Sequence, residues 1–120
     1  MLRYMLKAKI HRATITQADI NYEGSLTIDR DLMDAADIVP FEKVGVYNIN
    51  NGNRFETYAI EGERGTGVIG LNGAAARKGM VGDLIIIATY TAVARDEMGG
   101  YRPTILLLDA HNKVKQHLDK

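Results

Sequence analysis

The regular alternation of short β-prone segments with turn residues constrains this fold more than any other feature. Turn signals recur about every 8 to 12 residues, and roughly six or seven of the segments between them have strand character. Asn51-Gly52, between the β-prone segments 44–50 and 54–60, is a strong hairpin signal. The pattern predicts a small, mainly-β barrel or sandwich that occupies residues 1–120 as one domain.

The first predicted strand, 5–15, alternates apolar with polar side chains. Its polar face carries two cations and an imidazole: Lys7, Lys9 and His11. The most buried strand is predicted at 84–89.

Outside these strands, one segment has the pattern of a short helix and another is a polar tail. Asp29 is predicted to cap a short helix over 30–38, which Pro40 ends. The polar tail from Asp109 is expected to fray.

Composition narrows the classes of function. Hydrophobic residues make up 46% of the chain, which is typical of a folded globular protein. No apolar run approaches the ~20 residues of a membrane-spanning helix, and no signal-peptide core follows Met1-Leu2-Arg3, so a cytoplasmic protein is expected. Lys and Arg, 15 in all, balance 15 Asp and Glu, which argues against a general nucleic-acid binder. The sequence has no cysteine and no pair of histidines at metal-ligand spacing, so no metal site is predicted.

The segment Tyr22-Glu23-Gly24-Ser25 is a place where the backbone itself could supply a reactive group. In a strained turn, the Ser25 hydroxyl attacks the Gly24 carbonyl and exchanges the amide for an ester. Elimination from that ester cuts the chain and leaves a dehydroalanine, which hydrolyses to a pyruvoyl group. An ordinary turn is the alternative, and it is the commoner case for a Gly-Ser pair alone.

Strand positions carry further candidate site residues. Lys9 and Arg54 suit the two carboxylates of a dicarboxylate ligand, although a solvated strand face is commoner for each cation. Tyr58 is a candidate proton donor, with an aromatic residue at a sheet edge as the alternative. Thr57 could donate to an oxyanion, but strand alternation directs it away from Tyr58, so both serve one site only if the strand bends or the site spans two chains. His11 is a candidate acid or positioning group, and a hydrogen-bonded structural histidine is the interpretation we favour.

The segment Asn72-Gly73-Ala74-Ala75-Ala76 is predicted to form a tight turn that opens a short helical segment. Its small side chains leave backbone N–H groups accessible, which suits an anion. An Ala-rich helix start without a ligand is the alternative.

Taken together, these segments resemble the aspartate 1-decarboxylases, the pyruvoyl-dependent family that makes β-alanine for pantothenate and coenzyme A. The shared segments are Lys9-Ile10-His11-Arg12, Asp19 through Tyr22-Glu23-Gly24-Ser25, Asp34-Ala35-Ala36, Asn51-Gly52 with Arg54, Thr57-Tyr58-Ala59-Ile60, Glu63-Arg64-Gly65, Asn72-Gly73-Ala74-Ala75-Ala76 and Gly82-Asp83. Their joint occurrence in this order is specific to the family. Asn21 and Leu26 differ from many members, at positions that do not react.

The resemblance implies a double-psi β-barrel and a homotetramer with active sites between neighbouring subunits. It implies self-cleavage between Gly24 and Ser25 into a β chain, 1–24, and an α chain, 25–120. A pyruvoyl group derived from Ser25, without metal or pyridoxal phosphate, would then form a Schiff base with L-aspartate. Unaided cleavage and cleavage helped by a maturation factor both stay open, and neither nucleic acid nor a membrane is expected as a partner.

The resemblance also implies roles for single residues. Ser25 becomes the electrophile, and Tyr58 protonates the carbanion after carbon dioxide leaves. The implied substrate-binding residues are Lys9, Arg54, Thr57, Gly73, Ala74 and Ala75. Thr57 also polarises the Gly24 carbonyl during cleavage. The supporting residues are His11, Tyr22 and Asn72, of which Asn72 orients the scissile region.

Two alternatives to this function remain. One is a non-catalytic β-barrel binding module, against which the presence of Gly24-Ser25 together with Lys9, Arg54 and Tyr58 argues. The other is the same pyruvoyl chemistry on a different small amino acid.

Overall fold

The structure, a computed structural model, describes residues 1–119. Strands account for 52% of the chain. They are β1 (Leu2–Thr14), β2 (Gln17–Asp19), β3 (Ser25–Asp29), β4 (Lys43–Asn48), β5 (Arg54–Gly62), β6 (Ile69–Asn72), β7 (Leu84–Ala94), β8 (Thr104–Leu108) and β9 (Val114–Asp119). The helices in this part of the chain are α1 (Arg30–Ala36) and the 3₁₀ helices Gly73–Arg77 and Arg95–Glu97. The prediction of a small, mainly-β barrel with short helices is confirmed.

The strands follow one another across the sheet in the order β2-β6-β3-β5-β4-β7-β1-β8-β9. β1 pairs antiparallel with β7 from Leu2 and Ala94 onward, so both strands are longer than their predicted ranges, 5–15 and 84–89. The pairs β1–β8, β2–β6 and β3–β5 are parallel. Because a hairpin cannot join parallel neighbours, the chain crosses over between them and brings distant segments side by side. The start of β3 therefore lies between β5 and β6.

The hairpin predicted at Asn51-Gly52 joins β4 to β5. Gly52 has a positive φ of 78°, and its N–H donates to the Asn48 carbonyl at 3.0 Å. This register places Tyr47 opposite Arg54.

Alternate strand residues face a buried core. Those with no exposed surface include Ala8, Ile10, Leu26, Ile28, Val44, Val46, Ile85 and Ile87. The α1 side chains of Leu32 and Met33 pack against this cluster. Because successive strand residues point to opposite faces, Lys9 and Ser25 lie on the face opposite that of their core-facing neighbours, and Ser25 is buried there as well. No helix among residues 1–119 combines the length and apolar character needed to cross a bilayer.

Asp29 caps α1, as predicted, and also anchors a neighbouring loop. Its carboxylate, 2% exposed, accepts hydrogen bonds from the N–H groups of Asp31 at 2.8 Å, Gly65 at 3.1 Å and Gly67 at 2.8 Å. Burial by itself raises the pKa of Asp29, but these three hydrogen bonds and the nearby Lys113 lower it to a net value below the usual one.

The predicted end of the helix at Pro40 is wrong. α1 ends at Ala36, because Asp37 adopts a left-handed conformation with φ 55° and ψ 46°. The Asp37 N–H donates back to the Asp34 carbonyl at 3.2 Å, so the last turn is closed before the proline is reached.

The expectation of a frayed tail from Asp109 is also wrong. β9 pairs antiparallel with β8. Asn112, 1% exposed, donates to the carbonyls of Thr14 at 2.8 Å and Gly67 at 2.7 Å. A polar composition is compatible with order here because the polar side chains are satisfied by backbone groups of the barrel.

Candidate active site

The Gly24-Ser25 junction lies where the chain enters β3, between β5 and β6. The backbone of Ser25 pairs with that of Asn72 on β6. On the other side, Leu26 pairs with Ala59 of β5, so the preceding residues Ser25 and Tyr58 lie next to each other at the start of this parallel ladder. The backbone runs continuously through the junction, and Ser25 is 1% exposed. The geometry is therefore that of the uncleaved chain.

The Ser25 hydroxyl is held by two hydrogen bonds. Its Oγ donates to the Glu23 carbonyl at 3.2 Å and accepts from Asn72 Nδ2 at 3.0 Å. The same Nδ2 donates to Thr27 Oγ1 at 2.8 Å. A buried hydroxyl that is both donor and acceptor has a fixed orientation, here directly beside the Gly24-Ser25 bond.

Gly73 packs against the turn that leads into the junction. Its φ of 61° lies in the left-handed region. A Cβ atom at Gly73 would lie 2.6 Å from Gly24 N and 2.7 Å from the Tyr22 carbonyl oxygen. Only glycine fits this contact without moving the backbone of the junction.

Two cavities flank the junction. The threonine cavity, about 210 Å³, is lined by Gly24, Phe55, Glu56, Thr57, Ala74, Ala75 and Lys78. The tyrosine cavity, about 380 Å³, is lined by Tyr22, Glu23, Ser25, Pro40, Phe41, Tyr58, Ile60 and Glu61. Thr57 and Tyr58 thus point to opposite sides of β5, as strand alternation predicts. Each shares its cavity with one residue of the junction, Thr57 with Gly24 and Tyr58 with Ser25.

The predicted cations Lys9 and Arg54 line neither of these two cavities. The Arg54 guanidinium lies over the Tyr47 ring, 3.9 Å from its centroid. Lys9 pairs with Ala88 of β7, and two further ladders separate β7 from β5. At about 4.8 Å per ladder, Lys9 lies about 14 Å from β5 along the sheet. Lys9 therefore lies outside both cavities, on a strand that β7 and β4 separate from β5.

His11 lies on β1, near Lys9, and away from the junction. Its Nδ1 is buried and has no hydrogen-bond partner among the described residues, so the hydrogen bond expected of a structural histidine is missing at this atom. Burial, followed by the charges of Lys9 and Arg12, lowers the pKa of His11 below its usual value. This shift favours the neutral imidazole over the charged one.

Within residues 1–119 there is no group of three or more His, Cys, Asp or Glu side chains placed to hold a metal ion. The segment predicted to open a helix at Asn72-Gly73 forms the five-residue 3₁₀ helix, in which Ala74 and Ala75 line the threonine cavity.

Sequence reasoning missed three residues that contact predicted site residues or their neighbours: Tyr47, Tyr90 and Thr27. Tyr47, under Arg54, shares a 2.9 Å hydrogen bond with Tyr90, which raises the pKa of Tyr47. The hairpin register already placed Tyr47 opposite Arg54, so this contact had a signal in the sequence. Thr27 was missed as well, although its position two residues after Ser25 puts it on the same face of β3.

Comparisons with known proteins show the family of the chain. A family model described as aspartate decarboxylase matches residues 1–115. A protein named aspartate 1-decarboxylase from Desulfotalea psychrophila is 61% identical over 116 residues, which cover 97% of this chain and 98% of that protein. Proteins of the same name from Syntrophus aciditrophicus and Thermoanaerobacter pseudethanolicus are each 58% identical, over 96% and 94% of this chain and 99% and 97% of their own lengths.

These matches and the small β-barrel define the class: the protein is an enzyme of the decarboxylase type, a carbon–carbon lyase. More narrowly, the chain belongs to the aspartate decarboxylase family.

Proposed function

We propose that this enzyme uses a pyruvoyl group derived from Ser25 to decarboxylate L-aspartate, which yields β-alanine and carbon dioxide. The β-alanine is used to make pantothenate and coenzyme A. The observation that carries the proposal is the buried Ser25 hydroxyl, fixed by Asn72 and Glu23 beside the Gly24-Ser25 bond. An ordinary turn has no need of a buried, doubly hydrogen-bonded serine whose preceding residue, Gly24, is packed against a left-handed glycine.

Self-cleavage at this junction needs only groups of the chain and one water molecule. The Ser25 oxygen attacks the Gly24 carbonyl carbon, the C–N bond breaks, and the Ser25 nitrogen takes up the proton. Loss of the Ser25 α-proton then expels the Gly24 carboxylate by breaking the Cβ–O bond, which leaves dehydroalanine at position 25. Its tautomer reacts with water and releases ammonia, and the ketone remains at the start of the 25–120 chain.

The residues around Ser25 fit the group that this reaction would make. The Asn72 amide that donates to Ser25 Oγ is suited equally to a carbonyl oxygen. The tyrosine cavity next to Ser25 has room for a small amino acid. When present, a pyruvoyl group supplies the electron sink that α-decarboxylation requires.

The two cavities support separate roles for the neighbouring residues. Thr57 shares a cavity with Gly24, which suits donation to the Gly24 carbonyl during cleavage. Tyr58 shares a cavity with Ser25, which suits proton delivery after carbon dioxide has left. The resemblance also assigns substrate contacts to Gly73, Ala74 and Ala75, of which Ala74 and Ala75 line the threonine cavity, and supporting roles to His11, Tyr22 and Asn72. The resemblance assigns the substrate carboxylates to Lys9 and Arg54, neither of which lines the two cavities within this chain.

The position of Lys9 supports a site shared between chains. Lys9 has no ion-pair partner among residues 1–119 and lies about 14 Å from β5 along the sheet. A second copy of the chain that brings its Lys9 to Ser25 would complete the site. We therefore include a site shared between chains in the proposal, and we take the homotetramer from the family resemblance and the cytoplasmic location from the sequence.

Intact mass spectrometry of the purified chain tests the proposal. We expect fragments 1–24 and 25–120, whose summed mass equals that of the uncleaved chain plus one water minus one ammonia. Ser25→Ala should stay whole and produce no β-alanine from L-aspartate. Cleavage that occurs only after a cell extract is added would indicate a maturation factor. A wild-type chain that stays whole under every condition and still forms β-alanine would contradict the mechanism.

A further inference from the structure

We infer that Thr27 is a positioning residue for self-cleavage, because its hydroxyl holds the Asn72 amide that in turn holds the Ser25 hydroxyl. This inference rests on the proposed cleavage at Gly24-Ser25. It assigns a role to a side chain that lines neither the threonine cavity nor the tyrosine cavity.

The contact follows from the pairing of β3 with β6. Ser25 and Thr27 lie on the same face of β3, since they are two residues apart. Their partners on β6 are Asn72 and Gly70. From its place opposite Ser25, the Asn72 amide reaches both hydroxyls, at 3.0 Å to Ser25 Oγ and 2.8 Å to Thr27 Oγ1.

Both hydrogens of the Asn72 amide are thereby used. Asn72 is 3% exposed, so water does not readily replace a lost partner. Removing the Thr27 hydroxyl leaves one buried N–H without an acceptor, and the amide gains by rotating or shifting toward another one. Such a movement releases the Ser25 hydroxyl from its orientation beside the Gly24 carbonyl. Cleavage then slows, because the attacking group is no longer preorganised.

Thr27 can be altered without filling or emptying the core. The core side chains of β3 are Leu26 and Ile28, on the opposite face. Thr27 is half-buried and borders a separate open cavity next to Gln17 and Gly62. Thr27→Val keeps the branched shape of the side chain and replaces the hydroxyl with a methyl group, whereas Thr27→Ser keeps the hydroxyl and removes the methyl group.

The experiment follows cleavage by intact mass over time in wild type, Thr27→Val and Thr27→Ser, with thermal unfolding of each uncleaved chain as the control for folding. We expect Thr27→Val to cleave about tenfold more slowly while it stays folded at the assay temperature, and Thr27→Ser to cleave near the wild-type rate. Thr27→Val and Thr27→Ser are also combined with Asn72→Ala. In that background Thr27→Val should not slow cleavage further, because the shared amide is gone. If Asn72→Ala does not cleave measurably, the difference in cleavage rate between Thr27→Val and Thr27→Ser decides the role of Thr27.

Ser25→Ala separates the two proposals. If wild type cleaves and Ser25→Ala does not, the proposed chemistry stands, and an unchanged rate in Thr27→Val overturns only the role of Thr27. An equal loss of cleavage rate in Thr27→Val and Thr27→Ser also overturns that role. So does an equal effect of Thr27→Val in the wild-type chain and in Asn72→Ala. If wild type itself stays whole, both proposals fail. Should Thr27→Val not fold, Thr27→Ala is compared with Thr27→Ser in its place.

Discussion

At the scale of single residues, the Tyr58 phenol can be tested separately from cleavage, because it lies in the cavity on the other side of β5 from Thr57. We expect Tyr58→Phe to cleave normally, since none of the hydrogen bonds to Ser25 involves Tyr58. Turnover of aspartate should fall about a hundredfold or more, the usual cost of losing a positioned proton donor. Steady-state assays on the cleaved protein measure this, with Tyr4→Phe, at an exposed tyrosine, as the unaffected control. Unchanged turnover in Tyr58→Phe would show that another group delivers the proton.

Gly73 allows a second test at this scale. Gly73→Ala forces a side chain into a left-handed conformation, which costs about 1 kcal/mol, and drives its Cβ against the backbone of Gly24. We expect lower thermal stability and little or no cleavage. Gly100→Ala is the matched control, since Gly100 also has a positive φ, 83°, but nothing within 4 Å of an added Cβ. If both variants cleave at the wild-type rate, the packing of Gly73 on the junction is not needed for processing.

At the scale of secondary-structure elements, local signals were predictable and long-range pairings were not. The hairpin at Asn51-Gly52 and the cap at Asp29 depend on a few neighbouring residues, and both are found. The contact between Asn72 and Ser25 joins residues 47 apart, and it depends on β3 lying between β5 and β6. Periodicity within a strand carries no information about which strand lies beside it. Asn72 was found through the resemblance alone. Thr27, whose hydroxyl accepts from the same amide, was missed because its contact depends on strand pairing.

Asp29 connects β3, α1 and the loop at Gly65, and its charge should make the stability of this unit pH-dependent. Asp29→Asn keeps one acceptor but presents an N–H₂ group to a backbone N–H, so we expect a loss of about 2 kcal/mol in unfolding free energy at neutral pH. The folded-state pKa of Asp29 lies below 3.8, its ordinary value. The carboxylate of Asp29 therefore makes its full contribution to the unfolding free energy above pH 3.8. This contribution is lost as the pH falls through the lower folded-state pKa.

Urea unfolding of wild type and Asp29→Asn at a series of pH values measures this difference. The gap between them should be constant from about pH 7 to about pH 5 and shrink below about pH 4. Asp96→Asn, at an exposed aspartate, serves as the control and should change stability little. A gap that persists unchanged in acid would mean that the carboxylate charge contributes nothing to the anchoring of the loop.

At the scale of the whole molecule, the separation of Lys9 from β5 predicts that two chains share each active site. Chains carrying Lys9→Ala and chains carrying Ser25→Ala should each be inactive alone. Mixed assemblies made by co-expression should regain activity at roughly a quarter of their sites, where a normal Ser25 meets a normal Lys9 from another chain. Activity per purified mixed assembly is the measurement.

Tyr58 supplies the contrasting pair for this experiment, because it lines the same cavity as Ser25 within one chain. Mixing Tyr58→Phe chains with Ser25→Ala chains should restore nothing, since every normal Ser25 then faces a phenylalanine. If the Lys9 mixture also stays inactive while both variants assemble normally, Lys9 must reach Ser25 within its own chain. The sheet would then have to bring the two together by curling across the about 14 Å that separates Lys9 from β5.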